Sequence, residues 1–184
     1  MKKLIANFIF FVSGWKSKYE TEYSTERCVM IAAPHTSNWD LLYAIAIYWR
    51  HGVDAKFFIK DNYTKGFIGY FFKKMGAIGV TRGKKNNLVD FAVNLFNTND
   101  KLVLLVPAEA TRKKVGKWKK GFYVIAKNAK VPVALGYLDY KEKIAGVGNL
   151  IHLSDSFEDD MQQIQDFYEN ISGKYPENYN TKIY

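Results

Sequence analysis

The sequence predicts an α/β fold: one domain with a mostly parallel central sheet covered by helices, preceded by an N-terminal amphipathic helix. Three observations carry this expectation. Short apolar runs of strand length take turns with segments of helical period. The 184 residues are enough for one core and short for two. No linker-like shift in composition precedes residue 173, and there is no internal repeat or low-complexity block.

Leu4, Ile5, Phe8, Phe11 and Val12 share one stripe of a helix over 1–14, widened by Ile9 and Phe10 and led by Lys2 and Lys3. Two readings of it are open. The helix lies in a membrane interface, where each large apolar side chain contributes about 1.5–3 kcal/mol on full burial, or it packs on the domain's own core. After Gly14 and a polar stretch, the pattern predicts a strand at 27–33, a helix at 38–50, a strand at 55–60, a helix at 65–74 and a strand at 77–80. A helix at 88–96, a buried-type strand at 102–106, a basic loop, a helix at 122–129 and a strand at 131–138 follow. A strand near 150–153 and an amphipathic helix at 157–171 complete the order. The domain is expected over 15–172, with 173–184 a loosely attached tail. Alternation of this kind implies parallel strands joined by helical crossovers.

Hydrophobic residues make up 48% of the chain and aromatics 16%, which excludes a disordered protein and leaves apolar side chains to be placed at the surface. The formal charge of +9 suits phosphate-bearing partners: nucleic acid, anionic lipid or a small substrate. The single cysteine, Cys28, lies in an apolar run, so neither a disulfide framework nor a cysteine-based zinc site is expected. No metal is expected either, because the three histidines are scattered and Glu158, Asp159 and Asp160 lack calcium-loop spacing. No apolar run reaches the roughly 20 residues of a membrane span, and no cleavage site follows the N-terminal apolar stretch. Cytosolic exposure is the expectation.

Ligands of α/β sheets gather at the carboxyl ends of strands. The predicted strand ending at Ala33 runs into Pro34-His35-Thr36-Ser37-Asn38-Trp39-Asp40, which puts His35 in the turn and Asp40 in the first helical turn, within reach of each other. An aspartate there can accept a hydrogen bond from Nδ1 and leave the other ring nitrogen as a base. The same residues also read as a capping box, with Ser37 as N-cap and an acidic side chain near the positive helix end. Both readings stand, and the two roles are compatible. No Gly-x-Ser-x-Gly elbow is present, and Cys28 sits within a strand rather than beside a base.

Four segments in order resemble the glycerolipid acyltransferase superfamily, of the lysophosphatidic acid acyltransferase type, in its short bacterial form. His35 to Asp40 is similar to the His-x4-Asp block. Gly76-Ala77-Ile78-Gly79-Val80-Thr81-Arg82 resembles the second block, Pro107-Ala108-Glu109-Ala110-Thr111-Arg112 the third, and Val131-Pro132-Val133 the fourth. The resemblance spans about residues 28–140. It implies an O-acyltransferase in which His35 deprotonates a lipid hydroxyl that attacks the thioester of acyl-CoA or acyl carrier protein, with Asp40 orienting the imidazole and no other cofactor. It further assigns Arg82, Glu109, Thr111 and Arg112 to the polar, typically phosphate-bearing, acceptor, a lysophospholipid or related single-chain lipid. The third block departs from the family pattern: Ala108 is an extra residue and Ala110 replaces the usual glycine, whose tolerance of positive φ alanine lacks.

Lys113, Lys114, Lys117, Lys119 and Lys120 crowd around Trp118 directly after the third block. Lipid headgroups, coenzyme A phosphates or an acidic carrier protein fit this loop, and its position disfavours nucleic acid. A non-catalytic lipid- or nucleic-acid-binding protein, gripping phosphates and stacking on Trp118, is the alternative, as is a plain charged loop with Trp118 packed beneath. The aromatic helix with Phe67, Ile68, Tyr70, Phe71 and Phe72 reads as core or as the wall of an acyl groove. The resulting expectation is a peripheral protein on the cytoplasmic face of the cell membrane, in contact with anionic lipids.

Overall fold

The computed structural model describes residues 1–19, 26–81 and 88–184. Its elements in chain order are α1 (Lys2–Ser13), β1 (Lys16–Tyr19), β2 (Arg27–Ala33), α2 (Trp39–His51), β3 (Ala55–Lys60), α3 (Gly66–Lys74) and β4 (Ala77–Val80). Then come α4 (Leu88–Thr98), β5 (Leu102–Val106), α5 (Gly121–Ala129), β6 (Val133–Asp139), β7 (Ile144–Ile151) and α6 (Phe157–Tyr168). The seven strands form one sheet in the order β1-β7-β6-β2-β5-β3-β4. β2 to β6 run parallel, and β7 turns back antiparallel on β6 with β1 parallel to it at the edge.

The strands at the centre are apolar throughout because both faces are covered. Along β2, Val29, Ile31 and Ala33 enter the core beneath α4, α5 and α6, while Cys28 and Met30 enter the one beneath α1 and α2. Burial pushes the Cys28 thiol up to about 12, so it is an inert core residue.

Two strands differ from the expected order. β1 carries Lys16 and Lys18 on an edge, where charge guards the open backbone and hides the strand from hydrophobic pattern. The strand expected near 150–153 is the end of a longer one, whose middle holds Gly146 and Gly148; a ring of Tyr137 or Phe167 occupies the space a side chain would need there. Nor is the segment from 173 onward a loose tail. Tyr179 and Ile183 are buried, Trp118 N donates to Ile183 O at 2.8 Å, and Tyr175 N donates to Thr36 Oγ1 at 3.2 Å. Its apolar side chains are too widely spaced to register as an element, yet Tyr179 and Ile183 reach the core.

α1 packs on the domain without burying its stripe. The helix seats on α2 through Ala6 and Phe10, and the five stripe residues face outward, Leu4 with 72% and Phe11 with 85% of its surface open. α3 likewise leaves Phe67, Ile68, Tyr70 and Phe71 exposed, and α2 leaves Trp39 and Leu42. Among the described residues no helix is long and apolar enough to cross a membrane.

Candidate active site

Three adjacent parallel strands, β6, β2 and β5, deliver their carboxyl ends side by side. β2 leads into the loop holding His35, β5 into the turn at Pro107, and β6 into Tyr140. Residues far apart in sequence therefore meet at one edge of the sheet.

His35 Nδ1 lies 3.1 Å from Asp40 Oδ2. The same carboxylate oxygen accepts the backbone N–H of Thr36 at 2.9 Å and of Ser37 at 2.8 Å. The N-cap is Asn38, without a side-chain cap bond, and not Ser37 as the capping-box reading has it; Ser37 Oγ accepts instead from Trp39 N at 3.2 Å, which closes the turn before the helix. Asp40 thus ties down the turn before the helix and the imidazole together, which keeps the orienting reading and, of the capping one, only an acidic side chain in the first helical turn. With Nδ1–H donated to a carboxylate, the neutral imidazole carries its lone pair on Nε2.

Glu109 reaches the same loop from behind. It is 1% exposed, and one of its oxygens accepts the backbone N–H of His35 at 2.6 Å. Burial raises its carboxyl to about 7 from 4.5; the His35 hydrogen bond and charge oppose that rise and the Asp40 charge adds to it. A carboxyl group so enclosed supports His35 rather than facing open solvent. The extra residue of the third block explains how it gets there. Ala108 is buried and its carbonyl accepts from Lys119 N at 2.9 Å, while Ala110 N closes a turn onto Pro107 O at 3.0 Å. Ala110 has φ 57°, the left-handed conformation that the missing glycine would have adopted without strain.

A cavity of about 430 Å³ runs from this edge beneath α2. His35, Asp40 and Arg112 line its polar end, and Leu41, Ala44, Ile47, Phe57 and Leu105 its apolar walls. Arg112 is exposed at the mouth, and Thr111 Oγ1 accepts from Lys113 N at 3.3 Å. Arg82 lies outside the described residues. Lys113, Lys114, Lys117 and Lys119 are exposed, with no ion pair among the described residues, and Lys120 Nζ sits 4.2 Å from the Phe157 ring centre. Trp118 is buried against Phe122 and Tyr168, so it offers no stacking platform to a nucleic-acid base.

One side chain at the site had no signal in sequence. Tyr140 donates its hydroxyl to Asp40 Oδ1 at 2.7 Å from a position 100 residues away. His51 stacks on Tyr19 at 4.7 Å, away from the site, and His152 is exposed.

Comparison with known proteins bears on this geometry. The fold is similar to that of PlsC, a 1-acyl-sn-glycerophosphate (LPA) acyltransferase from Thermotoga maritima, with a TM-score of 0.62 and 15% identity over 90% of this chain and 74% of that one. No curated protein sequence matches the chain. The family model described as Acyltransferase matches residues 16–134, well over half of the sequence. On that match the chain belongs to the acyltransferase family.

Proposed function

We propose that the protein transfers a fatty acyl group from acyl-CoA or acyl carrier protein to the hydroxyl of a lysophospholipid or related single-chain lipid, with His35 as general base and Asp40 orienting it. The observation that carries this reading is the hydrogen-bonded His35–Asp40 pair at the polar end of an apolar cavity. His35 Nε2 takes the proton of the acceptor hydroxyl as its oxygen attacks the thioester carbonyl. The tetrahedral intermediate then collapses, the C–S bond breaks, and the imidazolium returns the proton to the leaving thiolate. No acyl-enzyme forms. The carboxylate of Asp40 stabilises the imidazolium between the two steps.

The apolar walls of the cavity suit a hydrocarbon chain whose reacting end lies by His35. Arg112 at the mouth suits an acceptor phosphate through its planar pair of donors, with Arg82 and Thr111 in the same role and Glu109 acting through the His35 loop. The lysines at 113–120 suit the phosphates of coenzyme A or an acidic carrier protein. The open apolar faces of α1, α2 and α3, bordered by Lys2, Lys3, Lys65, Lys73 and Lys74, suit a peripheral position on an anionic membrane, the cytoplasmic face of the cell membrane in our reading.

The test is transfer of labelled acyl groups to a panel of single-chain lipids in vesicles, the panel guided by whichever lysolipid accumulates in cells lacking the protein. His35→Ala is expected to abolish turnover with thermal unfolding unchanged. A folded His35→Ala protein that retains near wild-type transfer overturns the assignment.

A further inference from the structure

Asp40 divides its two oxygens between two tasks. Oδ2 gathers the three N–H donors of the His35 loop, and Oδ1 accepts the Tyr140 hydroxyl at 2.7 Å. Tyr140 stands immediately after β6, outside the residues matched by the family model, and no block of the family pattern includes it. Its ring is wedged in a small aromatic cluster. Trp15 meets it edge-on at 4.8 Å, Tyr43 edge-on at 6.1 Å, and Trp15 stacks on Tyr43 at 4.1 Å. Its own backbone N–H donates to Ser172 O at 2.9 Å. The ring therefore has little freedom to swing away from Asp40.

Burial, the hydrogen bond to Asp40 and the charge of that carboxylate, in that order, push the Tyr140 phenol far above its ordinary value. It remains a donor throughout the working pH range. Three donors on Oδ2 fix one end of the carboxylate; a donor held on Oδ1 fixes the other end and with it the plane of the group. The same donor draws part of the negative charge away from the imidazole.

We propose that Tyr140 is a positioning residue of the His35–Asp40 pair, holding the carboxylate by Oδ1 so that Oδ2 faces Nδ1, with Trp15 keeping the Tyr140 ring in place. Trp15 directly follows Gly14, the residue that ends α1, so the contact joins the open apolar helix to the catalytic aspartate through two side chains. This rests on His35 serving as the base.

Tyr140→Phe removes one oxygen and keeps the ring in its cluster, and thermal unfolding verifies that the fold survives. Two readouts are then taken. Nuclear magnetic resonance follows the His35 imidazole through a pH titration, assigned among the three histidines with a His35→Gln control. The midpoint is expected to move up by about half a unit, because the carboxylate keeps more charge for the imidazolium. Acyl-transfer kinetics are expected to give kcat about tenfold lower with the acceptor KM within about twofold. Trp15→Leu is expected to shift both quantities in the same direction by less. A folded Tyr140→Phe protein whose His35 midpoint and kcat both match wild type overturns the proposal. Wild-type protein that transfers acyl groups to no acceptor, while its His35 midpoint still responds to Tyr140→Phe, overturns the proposed activity and leaves the positioning contact standing.

Discussion

Replacing Glu109 by glutamine tests the least exposed ionisable group of the site. The wild-type carboxyl, 1% exposed, is raised from 4.5 to about 7, chiefly by burial. Between those values the unfolded chain has lost its proton and the folded one has kept it, so the folded state binds more protons and stability falls as pH rises. At about 1.36 kcal/mol per pH unit, the loss across that window is roughly 3 kcal/mol, a large part of the stability of a domain this size. Glutamine keeps a carbonyl oxygen for the His35 N–H and does not ionise. The stability of the variant minus that of wild type should therefore be lowest at the acid end and rise by roughly 3 kcal/mol by about pH 7.5. Urea unfolding at half-unit intervals from pH 4.5 to 8 measures this difference, and groups remote from Glu109 cancel in it. Repeating the pair in a His35→Gln background removes the imidazole's own titration. Parallel stability curves for the two proteins would refute the assignment of a raised, buried carboxyl behind His35.

Three other outcomes are expected. Asp40→Asn places an amide where four donors converge on a carboxylate, so steady-state kinetics should show kcat lower by about 10²–10⁴ and unfolding should show lost stability as well. Ala110→Gly relieves a left-handed alanine at a strain of about 1–2 kcal/mol, offset by roughly 0.5–1 kcal/mol of chain entropy, and should raise stability in chemical denaturation by about 0.5–1 kcal/mol. Phe8→Asp with Phe11→Asp removes two open rings from α1; half-insertion of both is worth about 2 kcal/mol, so vesicle sedimentation should show affinity for anionic liposomes about thirtyfold weaker. Unchanged sedimentation of the folded double variant would rule out α1 as a membrane contact.

Much of this molecule is written in local pattern. The alternation of short apolar runs with helical segments reports the parallel sheet and its crossovers because side-chain period depends on backbone geometry within a few residues. His35 and Asp40 are five apart across one turn, so their meeting is a property of a single loop, and the family resemblance identified it. The left-handed cost at Ala110 was likewise legible, since it depends on one residue's own backbone.

What only the tertiary structure decided involves partners distant in sequence. Glu109 stands 74 residues from His35, and its burial behind that loop follows from β5 lying beside β2. Tyr140 reaches Asp40 because β6 lies on the other side of β2. No periodicity encodes either contact; both arise from strand order. The outward turn of the α1 stripe is of the same kind. Sequence shows that a helix has an apolar face, but the neighbour that covers it is chosen by packing, and here α2 takes Ala6 and Phe10 and leaves Leu4, Phe8 and Phe11 open. The chain's last segment, with apolar residues too sparse to predict an element, was fixed by the core it enters, because burial rewards each side chain where it lands and not by its spacing.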